Sequence, residues 1–212
     1  MELTLIIFSR EAYRERAVKW EVLTQAYGST MAFSRRHQHT AIPDIFDHIH
    51  ADIQEPTNAH YLLVENYDIE RRFSYIRQHY ELFLSLSQWF QFLKKYLPPG
   101  CALEADLFTF IQQSTTYFQE ATQAPAVLLK LLYRFAQLEG LPVRQDWLAT
   151  QKDSGEIQAI LHQPLASLKP GQVMRLESIT SQLHQWILPY SGHARTSPFQ
   201  SHEEFSIPTR SQ

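Results

Sequence analysis

The chain of 212 residues holds a single cysteine, Cys101, which excludes an intramolecular disulfide framework and every multi-cysteine zinc site. Glycine is scarce as well, six in all, and this argues against a nucleotide-binding fold that depends on Gly-rich loops. The sequence has no G-x-x-x-x-G-K-[ST] loop, no dinucleotide fingerprint and no G-x-S-x-G elbow, so hydrolytic or transfer chemistry has no motif to rest on. No stretch reaches the roughly 18 apolar residues that a membrane-spanning helix needs. The apolar run Leu3–Phe8, with Glu2 before it and Arg10 after, is too short for a signal segment. Neither charge dominates: 19 Lys and Arg against 22 Asp and Glu leave a net charge of -3, which excludes a globally basic nucleic-acid binder and leaves room for a local basic face. These absences predict a cytoplasmic protein with no membrane segment, no metal site of the cysteine type and no enzymatic centre.

What is present is apolar and aromatic, at 44% and 13% of residues, enough to bury a core. The first third reads as strands. Leu3–Phe8 is a continuous β-prone run, and Ala17–Thr24 alternates, with Val18, Trp20 and Val22 on one face and Lys19 and Glu21 on the other. Gly28 closes a hairpin into residues 29–36, and two shorter strands fit 44–52 and 60–64. Five short strands suggest a small barrel rather than a sandwich.

From Asp68 the apolar period lengthens to that of a helix, which runs to the Pro98-Pro99-Gly100 stop with a break expected near residues 85–87. Further helices fit 103–120, 125–140, 154–162 and 171–186, and the residues between 141 and 153 read as less regular. The expected fold class is α+β: an OB-fold-like barrel over residues 1–66, a helical domain with its own core over 67–190, and a Ser-, Pro- and Gln-rich tail of little order over 191–212.

Over residues 1–43, the bases Arg10, Arg14, Arg16, Lys19, Arg35 and Arg36 stand against Glu2, Glu11, Glu15 and Glu21. Placed in the 10–16 loop and at a strand end, these cations can meet on one side of a barrel and bridge phosphates, or they can form an ordinary solvated face. Tyr13, Trp20, Tyr27 and Phe33 lie among them as stacking platforms, although alternation assigns Trp20 to the core beside Val18 and Val22. His37, His39, His48, His50 and His60, with Asp44, Asp47 and Asp52 nearby, have the His-x-His spacing of metal ligands but also that of the polar face of a barrel strand. Cys101 follows the proline stop with no nameable catalytic partner and reads as a structural thiol, and Glu104 and Asp106 read as first-turn acids of the next helix. On the apolar helix 125–140, Lys130 and Arg134 share one edge beside Leu131 and Phe135, where they can hold a short acidic peptide or merely solubilise the helix.

The order of several segments resembles the RecO family of recombination mediators. The resemblance is carried by the apolar first strand, the cluster Arg10-Glu11-Ala12-Tyr13-Arg14-Glu15-Arg16, Val22-Leu23-Thr24 with Gly28, Tyr61-Leu62-Leu63-Val64-Glu65-Asn66-Tyr67, Leu131-Leu132-Tyr133-Arg134-Phe135 and Leu138-Glu139-Gly140-Leu141-Pro142. It spans roughly residues 3–145, with two departures. Residues 144–160 contain none of the four zinc cysteines that many members carry, and Met31–Arg36 replaces the small Ala-Arg-Gly element after the hairpin.

The resemblance implies a non-enzymatic, cofactor-free DNA repair protein associated with the nucleoid. Such a protein binds single- and double-stranded DNA through Arg10, Arg14, Arg16, Lys19, Arg35 and Arg36 and anneals complementary strands. With RecR it helps recombinase replace single-stranded DNA-binding protein, whose acidic C-terminal tail docks at Lys130, Arg134, Leu131 and Phe135. A protein-interaction adaptor with a purely structural barrel is the alternative from a different class, and a metal-dependent enzyme using His37–His60 is a third.

Overall fold

The computed structural model describes residues 1–13, 17–35, 41–54, 61–119, 124–163 and 173–190, with the backbone alone for Arg35 and residues 173–175. Five strands come first: β1 (Glu2–Tyr13), β2 (Ala17–Thr24), β3 (Gly28–Arg35), β4 (His48–Gln54) and β5 (Tyr61–Arg71). They close into a barrel in the order β1-β2-β3-β5-β4, with β4 returning to β1; β3 and β5 run parallel and the other neighbours antiparallel. This OB-like barrel is followed by helices α1 (Ser74–Gln78), α2 (Tyr80–Tyr96), α3 (Ala105–Gln119), α4 (Ala124–Leu138), α5 (Ser154–His162) and α6 (Val173–Ile187), the α+β class that the sequence predicts. A π-helical turn, Val143–Trp147, joins α4 to α5 through a 3-10 turn at Leu148–Thr150.

The uninterrupted apolar run of β1 has a physical reason: the strand is covered on both sides. Leu5 and Ile7 enter the barrel interior with Val18, Trp20, Val22, Ile49 and Leu62. Ile6 and Phe8 join Leu23, Phe46 and the helices in a second core. The helical part thus has a core distinct from the barrel interior, and that core continues onto the barrel through Ile6, Phe8, Leu23 and Phe46. Phe46 accomplishes part of this join from the left-handed region, at φ 73, with its ring 5.3 Å from Phe90 and 5.5 Å from Phe83.

Several element boundaries also differ from expectation: β4 starts at His48 rather than at residue 44, and β1 runs past Phe8 to Tyr13. Residues 68–71 belong to β5 rather than to a helix, because Tyr67 and Ile69 keep the two-residue period and pack on the barrel core while Asp68 pairs with His50 and Arg71 with His48. The helix break falls at His79, whose backbone is extended at φ -114 and ψ 107, whereas residues 85–87 continue α2 with Ser85 buried. The core of the helical part is aromatic: Trp89, Phe92, Tyr96 and Phe135 make mutual ring contacts, and the Trp89 indole N–H donates to Ser114 Oγ at 2.8 Å. Among the described residues no helix is long and apolar enough to cross a membrane. The segment 191–212 lies outside the described residues.

Candidate nucleic-acid interface

Of the six cations assigned to DNA, Arg14, Arg16 and Arg36 lie outside the described residues, and Arg35 is described by its backbone alone, paired with Ala17. Arg10 belongs to β1 rather than to a loop, because the strand runs on to Tyr13. Register then separates the two cations that can be placed. Arg10 stands opposite Trp20 and Lys19 opposite Glu11, and since residues 19 and 20 point to opposite sides of β2, Arg10 and Lys19 occupy opposite faces of the hairpin. Each also has a carboxylate: Lys19 Nζ lies 3.0 Å from Glu11, and Arg10 lies 3.9 Å from Asp44. Lys94 of α2 reaches Glu21 at 2.6 Å in the same way.

Trp20 is fully buried, as alternation predicts, with its ring edge-to-face against Tyr67 at 5.4 Å. It is a core residue and not a platform. Tyr27 packs half-buried on the barrel core, and its backbone N–H donates to Thr24 Oγ1 at 2.9 Å. An aromatic surface lies instead around the half-buried Phe33, whose ring is flanked edge-on by the exposed Tyr13 at 5.2 Å and Tyr61 at 6.1 Å. Tyr13, Tyr61 and Leu63 are each close to 40% exposed, and with Phe33 they line one shallow groove at an end of the barrel. Leu63 belongs to it because β3 and β5 are parallel neighbours with Phe33 opposite Leu63 and Met31 opposite Tyr61. Sequence reading picked out Tyr13 and Phe33 but missed Tyr61 and Leu63. The signal present was the exposed-buried alternation that opens β5, which becomes informative only once its partner strand is known.

The histidines do not assemble where they can be followed. His37, His39 and His60 lie outside the described residues. His48 is buried against α3, with Nε2 3.3 Å from Thr115 Oγ1 and its ring 5.0 Å from Phe73, while His50 points outward to Glu2 at 3.3 Å. Among the described residues no group of three or more His, Cys, Asp and Glu is placed to hold a metal ion. Burial pushes the His48 imidazole down to about 4, helped by Arg71 and opposed by Asp47, so it is neutral at neutral pH.

On the helical side, α3 and α4 enclose a groove with Phe110, Val127, Leu131 and Leu138 along its wall and Lys130 and Arg134 at its edge. Lys130, Leu131 and Arg134 thus share one site. Phe135 does not belong to it: the ring is fully buried between Trp89, Phe92 and Tyr96, one residue past the face that lines the groove. Lys130 donates to the backbone carbonyl of Gln163, and burial lowers its pKa from the ordinary lysine value. In comparisons with known proteins, no family model matches this chain and no curated protein matches it.

Proposed function

We propose that this protein binds single-stranded nucleic acid on the barrel and anneals complementary strands, as a recombination mediator of the RecO type. The observation that supports this reading best is the ledge of exposed Tyr13 and Tyr61 around the half-buried Phe33 on an OB-like barrel, since bases of any sequence stack on accessible aromatic rings. The α3–α4 groove complements it. An apolar wall beside Lys130 and Arg134 suits a short acidic peptide that ends in hydrophobic side chains, the chemistry of the tail of single-stranded DNA-binding protein. RecR and double-stranded DNA complete the proposed set of partners, with the protein acting in the cytoplasm on the nucleoid. No covalent step and no cofactor enter the scheme.

A second reading, a protein-interaction adaptor, is favoured by the placement of a carboxylate beside each of two barrel cations, Asp44 at 3.9 Å from Arg10 and Glu11 at 3.0 Å from Lys19. Fluorescence anisotropy of a labelled single-stranded oligonucleotide, titrated at several salt concentrations, decides between them. Binding that weakens with salt and is lost on Phe33→Ala supports the mediator. No binding at low salt, alongside capture of an acidic peptide by the α3–α4 groove, supports the adaptor.

A further inference from the structure

A second cleft lies on the other side of Lys130 and Arg134, where α4, the π-helical turn and α5 meet. Its cations come from two separate elements, Lys130 and Arg134 from α4 and Arg144 from the turn, with the His162 imidazole from the last turn of α5 beside them. The amides of Gln137 and Gln158 complete its polar wall, and among the described residues no aspartate or glutamate lines it. That composition is unusual for this chain, in which acids outnumber bases and Arg10, Lys19, Arg77 and Lys94 are all held by carboxylates.

Among the described residues Arg134 and Arg144 form no ion pair; Arg134 reaches only the neutral amide of Gln137 at 3.4 Å. The Lys130 ammonium is partly withdrawn from water and fixed on the Gln163 carbonyl, a neutral acceptor. Burial lowers its pKa, with no carboxylate acting against that effect. A half-buried cation without a counter-charge is stabilised by an arriving anion. Two guanidinium forks close to it match the several oxygens of one phosphate better than they match a single carboxylate.

We infer that this cleft is a phosphate-binding site, with Arg134 and Arg144 donating to the phosphate oxygens and Lys130 supplying charge from the base. The phosphate is that of a nucleic-acid strand or of a free phosphate compound, and the inference does not depend on the barrel reading. Arg144 is the residue to test, because it is exposed and does not line the α3–α4 groove.

Binding of pyrophosphate by isothermal titration calorimetry and of a single-stranded oligonucleotide by anisotropy are compared for the wild-type chain and Arg144→Ala, with thermal melts as a check on folding. The expected result is an affinity loss of about tenfold for at least one probe, as for removal of a charge-assisted hydrogen bond. If the oligonucleotide is affected, its salt slope should fall by about one. Oligonucleotide loss identifies the strand as the source. Pyrophosphate loss in a protein that ignores the oligonucleotide identifies a free phosphate compound and removes the annealing reading while this site stands. Unchanged affinity for both probes overturns the inference, as does Arg144-dependent binding of an acidic peptide without any binding of pyrophosphate.

Discussion

Arg77 of α1 donates from Nη1 to the buried carboxylate of Asp47 at 2.7 Å, fastening the first helix to the mouth of the barrel. The same Asp47 oxygen accepts the Phe73 backbone N–H at 3.2 Å, and its other oxygen accepts the Asp44 N–H at 3.0 Å. The Arg77 Nη1 also donates to the Ile45 carbonyl at 2.8 Å. Removing the carboxylate leaves two backbone donors without their acceptor and takes the buried counter-charge from a guanidinium that keeps only the Ile45 carbonyl, Ser74 Oγ and the more distant Asp44. Asp47→Ala is therefore expected to destabilise the fold by about 3 kcal/mol, and Asp47→Asn by less because an acceptor oxygen remains. Urea denaturation of the two variants checks this, and equal stability of Asp47→Ala and wild type would show that the network contributes nothing net.

Gly28 yields a sharper steric prediction. It turns the β2–β3 hairpin at φ +58, and a methyl group there would lie 2.2 Å from the carbonyl oxygen of Cys101. The two segments are already tied by hydrogen bonds from Leu103 N–H to the Gln25 carbonyl at 2.7 Å and from Gly100 N–H to the Ser29 carbonyl at 3.2 Å. Gly28→Ala should cost about 2 kcal/mol or more, since backbone atoms on both sides have to shift. Gly140 at φ +70 has no neighbour within reach of an added methyl, so Gly140→Ala should cost only about 1 kcal/mol. Paired denaturation curves for the two variants test the difference.

His48 ties stability to pH. Its native pKa of about 4 lies below the unfolded value of 6.5, so between those values the unfolded chain binds more protons and stability rises with pH. The contribution is fully present above about 6.5 and is lost as pH falls toward 4. Comparing pH 7.5 with pH 4.5, the wild type should lose roughly 2 kcal/mol more than His48→Gln. Parallel pH dependences in the two proteins would remove His48 as the cause.

The aromatic ledge predicts a pattern that charge alone does not. Phe33→Ala should weaken single-strand binding by about tenfold, within the range for loss of one stacked base, without changing the salt slope. Lys19→Ala should lower the slope only slightly, because Glu11 already neutralises the ammonium. Anisotropy titrations across salt concentrations separate the two effects, and a Phe33→Ala chain that binds like wild type would discard the ledge as a nucleic-acid surface.

The barrel was legible where a pattern is local. Val18, Trp20 and Val22 alternate within one strand, and Gly28 marks its own turn, so β2 and β3 follow from neighbouring residues. The end of β5 was not legible, because the polar residues Asn66 and Asp68 become strand residues only through pairing with Asp52 and His50 of β4. The same division governs the sites. Lys130 and Arg134 share a helix edge by spacing alone, whereas Lys19 meets Glu11 through strand register, and Arg144 and His162 approach α4 only through tertiary packing. Phe135 was misassigned because helical spacing gives its neighbours along the helix but not the three rings that enclose it.

Lys130 and Arg134 stand on a crest between two clefts, one walled by α3 and the other by α5. If both proposed sites bind anions, the two ligands draw on the same pair of charges, and occupancy of either cleft lowers the affinity of the other by the same factor. On the two proposed sites the crest is a point of competition, where an anion in one cleft weakens the hold on an anion in the other.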